Sequence, residues 1–161
     1  MPVKQLSSKI QSILNELLIP LYQMERFYKD ASKFCDANGF KYASDFFVCE
    51  MHRKHTQAHK IEKFGTNWST ILETPKISSE PVGETIQEIV NNSYNREFSI
   101  FESFKISVED SNDVGLEIFL EEYIECENKI LTCFTTIEKK LVGITDMFQL
   151  KNMEKKIFKN K

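Results

Sequence analysis

The sequence predicts an all-α fold, namely a bundle of four long helices with one long crossover connection and a short fifth helix at the C-terminus. Apolar residues recur at intervals of three or four along four long stretches of the chain. Short polar turns join the first stretch to the second and the third to the fourth. The segment between the second and third, "TNWSTILETPKISSEPVGE", is long, contains two prolines and has no sustained period. A chain of 161 residues suffices for one domain, 1–161, and is short for two.

The first pair of helices is predicted at about 5–37 and 41–64. Pro20 lies within the first helix, where it removes one backbone hydrogen bond and is expected to bend the axis. The pair "NG" at 38–39 stops this helix and starts a turn. Gly65 is expected to end the second helix.

The second pair is predicted at about 84–109 and 114–142, joined by the polar turn "DSND" and ended by Gly143. A short helix at about 146–156 follows, with Asp146 and Gln149 as its capping pair.

Composition and charge exclude several classes of protein. A net charge of −3 argues against a nucleic-acid binder that works by neutralising phosphates. No apolar run approaches the roughly 20 residues of a membrane span, and the N-terminus lacks a signal-peptide pattern. The four cysteines show no CxxC spacing, so we expect free thiols and a cytoplasmic location; they are Cys35, Cys49, Cys126 and Cys133. Cys126 and Cys133 are expected to pack against a neighbouring helix.

Polar side chains interrupt the apolar faces near the middle of the helices. Lys54 and Gln57 lie on the inner face of the second helix, Glu97 on that of the third, Glu127 on that of the fourth, and Tyr28 on that of the first. Because a bare charge is expensive to bury, we expect a network in which Lys54 pairs with the two glutamates. An ammonium repels a metal ion and offers it no lone pair, which argues against a dimetal centre. Alternatively, Lys54 extends to solvent.

All three histidines lie in the second helix. His52, His55 and His59 recur at i, i+3 and i+7 with Glu62 completing the row, on the face opposite the core. Imidazoles at this spacing can bind a transition metal, so the row is a candidate metal site. The alternative is an ordinary solvated face.

Several segments, taken in order, resemble those of ferritins. They are "LNELLIPLYQMERFYKDASKF", "NGFKYASDFF", "LETPKISSEP", "YNREFSIFESF" and "FLEEYIECENKILTCF". The resemblance covers nearly the whole chain and includes the helix lengths, the crossover and the short last helix. It implies a ferritin-like bundle.

The resemblance also implies where the ferroxidase ligands of ferritins would fall. The glutamate of the first helix corresponds to Leu21, and the ExxH pair of the second helix corresponds to Lys54 and Gln57. The glutamate of the third helix is kept as Glu97, and the fourth-helix ligand corresponds to Glu127. Most of the di-iron site is therefore lost, and no catalytic residue is expected.

Further positions follow the same pattern. The tyrosine beside the centre of many ferritins is matched by Tyr28, whereas the acidic residues of a third iron site correspond to Arg53, Cys126 and Lys129 or Ile130. A lysine in place of a metal ligand is similar to the light chain of animal ferritins.

The function implied is that of a cage subunit for iron storage or nucleation with little ferroxidase activity. The resemblance implies a homo-oligomeric cage of about 24 subunits or co-assembly with an active ferritin subunit, iron as the only cofactor, and neither nucleic acid nor membrane as a partner. In such a cage the histidine row would face the central cavity. Two alternatives remain open: an active ferroxidase using Glu97, Glu127 and Glu25, or a structural module without iron chemistry.

Overall fold

The computed structural model describes residues 4–159, and the helices within them are five. They are α1 (Ser8–Ala37), α2 (Lys41–Asn67), α3 (Ile86–Ser111), α4 (Val114–Leu141) and α5 (Met147–Phe158). The helix α1 packs along α2, α3 along α4 and α1 against α3, while α5 contacts α2 and α4. This arrangement confirms the predicted four-helix bundle with a short fifth helix.

The crossover 68–85 runs along the bundle from one end to the other. Near its start, the backbone N–H of Glu73 donates to Oδ1 of Asn15 in the second turn of α1, at 2.8 Å. Further on, Ser79 accepts a hydrogen bond from Arg26, and Glu80 forms an ion pair with Arg96 of α3 at 2.6 Å. The segment is long because it joins two helices whose consecutive ends lie at opposite ends of the bundle.

Four helices begin with a side chain that caps the backbone. The N-cap residues of α1, α3, α4 and α5 each accept a hydrogen bond from a backbone N–H of the first turn; they are Ser7, Thr85, Asp113 and Asp146. The predicted stop at 38–39 is also present, since Gly39 follows α1 with a φ of +80°. The helix α1 is continuous through Pro20.

The prediction that Gly65 ends α2 was wrong, because α2 continues to Asn67. A Cβ at position 65 would come within 2.9 Å of Cγ of Leu72 and 3.0 Å of the carbonyl oxygen of Thr70. The missing side chain therefore lets the crossover pack closely on the last turn of α2. Close packing, and not helix termination, explains this glycine.

Aromatic rings fill one end of the core and attach α5 to it. The ring of Tyr28 stacks between those of Phe47 and Phe134, with centroids 5.9 and 6.3 Å apart. Phe158 of α5 contacts Phe46, with centroids 5.6 Å apart. In the described part of the chain, no helix is both long and apolar enough to cross a membrane.

Candidate functional site

The centre of the candidate site is Lys54, whose side chain is completely buried in the middle of the bundle. Helical periodicity places it on the same face of α2 as Phe47 and Ile61, which are also fully buried. Glu97 of α3 and Glu127 of α4 are fully buried opposite it. The inward orientation predicted for Lys54 is therefore observed, and the alternative in which it extends to solvent is not.

The ammonium of Lys54 has an oxygen partner in three directions. Its Nζ lies 2.7 Å from Oε2 of Glu97 and donates a hydrogen bond to Oε1 of Glu127. The third contact is a hydrogen bond of 3.0 Å to Oε1 of Gln57, about one turn further along the same helix. The amide of Gln57 in turn donates to Oε1 of Glu127 at 3.4 Å. Nζ therefore has three oxygens within 3.0 Å, two of them as hydrogen-bond acceptors and the third as an ion-pair partner.

The helix α1 contributes a phenol to the cluster and no carboxylate. The hydroxyl of Tyr28 donates to Oε1 of Glu97 at 2.6 Å. Burial, followed by the nearby charge of Glu97, raises the pKa of Tyr28 well above its usual value, so the phenol stays protonated and acts as a donor. Leu21, the position implied for the missing first-helix ligand, is a fully buried apolar side chain.

The charges within the cluster balance if one of the two carboxyl groups is protonated. Burial alone would raise the pKa of Glu97, but the charge of Lys54 and hydrogen bonds from Glu127, Lys54 and Tyr28 outweigh it and lower that pKa. Burial and the adjacent charge of Glu97 instead raise the pKa of Glu127 well above its usual value. Burial alone would lower the pKa of Lys54, but its two carboxyl partners outweigh this effect and raise it. The two carboxyl groups therefore titrate as a coupled pair beside the Lys54 ammonium, in which Glu127 holds a proton more readily than Glu97.

Two buried carboxyl oxygens of this pair lack a hydrogen bond. They are Oε2 of Glu97, whose nearby cation is Nζ of Lys54 at 2.7 Å, and Oε2 of Glu127. The two side chains are close enough to hydrogen-bond each other. A proton shared between the two groups would satisfy these oxygens and remove the like-charge repulsion.

A third buried carboxyl group near Lys54, that of Glu50, was missed by the sequence reasoning. Its side chain is 3% exposed, and one oxygen lies 3.8 Å from Nε of Arg53. Burial raises its pKa, and the charge of Arg53 only partly opposes this effect. The signal was available, since Glu50 precedes Lys54 by four residues and therefore lies one turn away on the same face.

The donor set does not fit a dinuclear metal site. Two carboxyl groups face this space, burial and the charge of Glu97 raise the pKa of one of them, Glu127, and the Lys54 ammonium lies close to both. Carboxyl groups must be deprotonated to bind a metal ion, and a positively charged side chain beside the ion opposes its binding. In chemical terms, the arrangement is a structural ion-pair network and offers no open coordination position.

All residues of the predicted histidine row belong to α2, but their side chains face two different neighbouring helices, α1 and α4. The rings of His55 and His59 stack with centroids 6.0 Å apart, and Nδ1 of His55 lies 3.0 Å from Oε1 of Glu25 on α1. Glu62 accepts a hydrogen bond from the hydroxyl of Tyr22, also on α1. Glu25 and Tyr22 are partners that the pattern of α2 alone could not predict.

His52, in contrast, lines a groove on the side of α2 that faces α4. Across residues 4–159, no group of three or more His, Cys, Asp or Glu side chains is placed to hold a metal ion. The row therefore presents separate imidazoles and no assembled centre. Whether it binds metal stays a prediction.

The cysteines are free thiols, but their packing differs from that expected. Cys133 is partly buried against the core, whereas Cys126 is exposed. The expectation that both pack against a neighbouring helix was therefore wrong for Cys126. Its position in the helical period turns it toward the surface groove between α4 and α2.

Comparison of the whole fold with solved structures finds ferritins. The ferritin of Chlorobium tepidum superposes with a TM-score of 0.81 at 16% sequence identity, over 95% of this chain and 98% of that chain. An open-pore ferritin of the hyperthermophilic archaeon Archaeoglobus fulgidus superposes with a TM-score of 0.84 at 18% identity, over 97% and 98% of the two chains. Neither structure is an animal light chain, so that finer resemblance stays a prediction. No protein-family model and no curated protein matches the sequence. The architecture and the superpositions together show that this chain has the ferritin fold.

Proposed function

We propose that this protein is a non-catalytic subunit of a hollow, ferritin-like cage that stores or nucleates iron without oxidising it at a di-iron centre. The observation that carries the proposal is the buried Lys54 ammonium between Glu97 and Glu127. In a ferroxidase, metal ions would occupy the space between the equivalent carboxylates. Here the positive charge of a protonated lysine already balances the negative charge of the carboxyl groups around that space.

Electrostatic repulsion is the reason why the ammonium would exclude a metal ion. The interior of the bundle is a low-dielectric environment, in which like charges a few ångströms apart repel far more strongly than in water. Displacing Lys54 would leave its ammonium without its two carboxyl partners in a buried place. A divalent ion would also have to release the proton from Glu127. Each of these steps opposes iron binding.

The iron-handling part of the proposal rests on the fold and on the exposed histidines. Both superposed proteins are ferritins by name. If subunits assemble as a cage of 24, as the resemblance implies, the row formed by His52, His55, His59 and Glu62 would face the cavity and offer weak, separate iron ligands. Iron would be cargo, and no organic cofactor is proposed. The free cysteines support a cytoplasmic location.

A ferritin-fold protein without iron chemistry is the second candidate. It is favoured by the lack of any assembled His, Cys, Asp or Glu group within the described residues. The active ferroxidase is less well supported, because Glu25, its third proposed ligand, contacts His55 on the partly exposed boundary of α1 and α2 and is separate from Lys54.

Two measurements on the full chain test the proposal. Light scattering after size exclusion should give the mass of a closed cage, alone or together with an active ferritin subunit. Stopped-flow mixing with Fe(II) in air should then show only slow oxidation. A fast, saturable phase at about two irons per subunit would contradict the proposal, because that stoichiometry is typical of a di-iron centre. An intact cage that accumulates no iron core during slow oxidation would favour the second candidate.

A further inference from the structure

A groove of about 410 Å³ runs between the outer sides of α2 and α4. Three permanently charged cations line it: Arg53 and Lys60 from α2 and Lys129 from α4. His52, Thr56 and Gln57 add polar groups that can donate hydrogen bonds, and no aspartate or glutamate is among the lining residues. The chain as a whole has 24 acidic and 21 basic residues, so this groove reverses the sign of the overall charge.

The cations of the groove are available to a ligand. Among residues 4–159, neither Lys60 nor Lys129 has a carboxylate within 4.0 Å. Arg53 is about half exposed and has one ionic contact, at 3.8 Å from the buried Glu50. Another acid, Glu122, lines a smaller adjoining cavity of about 60 Å³ together with Lys60. These two carboxyl groups reduce the positive charge of the groove but do not cancel it.

The spacing of the cations indicates the chemistry of the ligand. Arg53 and Lys60 are seven residues apart on one helix, which is about 10 Å along its axis. A guanidinium binds phosphate through two parallel hydrogen bonds, and lysines add point charges that tolerate several geometries. A chain of phosphate groups can contact both ends without requiring the two side chains to converge on one point. The volume is within the range of small-molecule sites.

We propose that the groove between α2 and α4 binds a multivalent phosphate, held by Arg53, Lys60 and Lys129. The proposal does not depend on iron, so it can fail or hold independently of the proposed role in iron storage. Inorganic polyphosphate and the phosphate chain of a nucleotide share the required chemistry, and the experiment separates them.

The test is calorimetric titration of the full chain at low ionic strength with orthophosphate, tripolyphosphate and adenosine triphosphate. The test variant is Lys60→Gln/Lys129→Gln. The matched control is Lys33→Gln/Lys139→Gln, which changes the net charge equally but alters exposed lysines outside the groove. We expect tripolyphosphate to bind more tightly than orthophosphate. The test variant should weaken that binding about tenfold, the effect of losing two exposed charged contacts, whereas the control should change it less than about twofold.

Salt and ligand comparisons sharpen the result. Raising the ionic strength should weaken tripolyphosphate binding to the unmodified protein more steeply than to the test variant. Equal binding of tripolyphosphate and adenosine triphosphate supports the site and assigns recognition to the phosphate chain. Tighter binding of the nucleotide also supports the site and adds a contact with the base. The absence of tripolyphosphate binding, or an equal loss in test and control variants, would overturn the proposal.

Discussion

The inner and outer faces of α2 show how burial determines the environment of a polar side chain. On the inner face, Lys54 is completely buried and has partners on α2, α3 and α4. On the outer face, the side chain of His55 is 57% exposed and has one ionic partner, Glu25. Desolvation makes an unsatisfied charge costly only on the inner face, so only there do the surrounding residues have to provide partners. The polar residues of the inner face consequently require specific partners, whereas residues of the outer face can be substituted with little loss of stability.

The largest expected effect is the loss of the inner cation. Lys54→Ala should lower the free energy of unfolding by about 3–5 kcal/mol, because it leaves the Glu97 carboxylate buried without its cation. Urea unfolding measures this change. Lys63→Ala, an exposed position on the same helix, is the control and should stay within about 0.5 kcal/mol. A neutral Lys54→Ala would contradict the role assigned to the ion pair.

A double variant separates the stranded charge from the cavity that truncation leaves. Lys54→Met/Glu97→Gln removes both charges while nearly keeping the volumes, so it should recover most of the stability lost in Lys54→Ala. The same unfolding measurement applies. If the double variant were as unstable as Lys54→Ala, packing and not charge would explain the loss.

The next expected effect is a gain of metal binding. Lys54→Glu/Gln57→His places a carboxylate and an imidazole beside Glu97 and Glu127 and removes the repelling ammonium. Titration with Co(II) should show binding at least about tenfold tighter than to the unmodified protein, a difference of about 1.4 kcal/mol. Lys63→Glu controls for the added negative charge. Equal affinity in all three proteins would mean that the inner face cannot be restored as a metal site.

A smaller effect concerns the pH dependence of stability. Because the folded pKa of Glu127 is raised, its favourable contribution is complete below the unfolded pKa near 4.3 and is lost as the pH rises through the folded pKa. Glu97 behaves oppositely, since its lowered pKa gives stability that is lost as the pH falls through the folded value. Glu127→Gln should therefore stabilise the protein relative to the unmodified chain as the pH rises from about 5 to 8, by roughly 1.4 kcal/mol for each pKa unit of the shift traversed.

Urea unfolding of both proteins at several pH values in that window checks the prediction, since the contributions of groups that do not interact with Glu127 are common to both. Parallel pH profiles would show that Glu127 is ionised in the folded protein as it is in the unfolded chain.

The smallest effect is expected on the outer face. His55→Ala removes one exposed ion pair and should change the free energy of unfolding by less than about 0.5 kcal/mol. The triple variant in which His52, His55 and His59 become alanine should fold equally well but take up iron more slowly during mineralisation. If iron uptake were unchanged in the triple variant, the histidine row would have no role in mineralisation.

Much of the bundle could be predicted because helical periodicity and capping residues are local signals. The inward position of Lys54 followed from its phase relative to Phe47 and Ile61, and the glutamates opposite it followed in the same way. Periodicity did not explain Gly65, because its role depends on Leu72 of the crossover approaching α2, which is a tertiary contact. It also could not identify the partners of His55 and Glu62, since Glu25 and Tyr22 belong to another helix.

The groove between α2 and α4 is a further feature that the sequence pattern could not predict. Arg53 and Lys129 were recognised only as replacements of acidic residues, each on its own helix. Their combination into one basic surface depends on how α2 and α4 lie side by side, and this requires the structure.

The central claim is that the Lys54 ammonium occupies the place where a metal ion would otherwise be bound between Glu97 and Glu127. Crystals soaked anaerobically in a ferrous salt and measured at the iron absorption edge test it most directly. We predict no anomalous peak among these side chains, with Nζ of Lys54 in contact with both carboxyl groups. Two iron ions bridged by Glu97 or Glu127 would contradict the account.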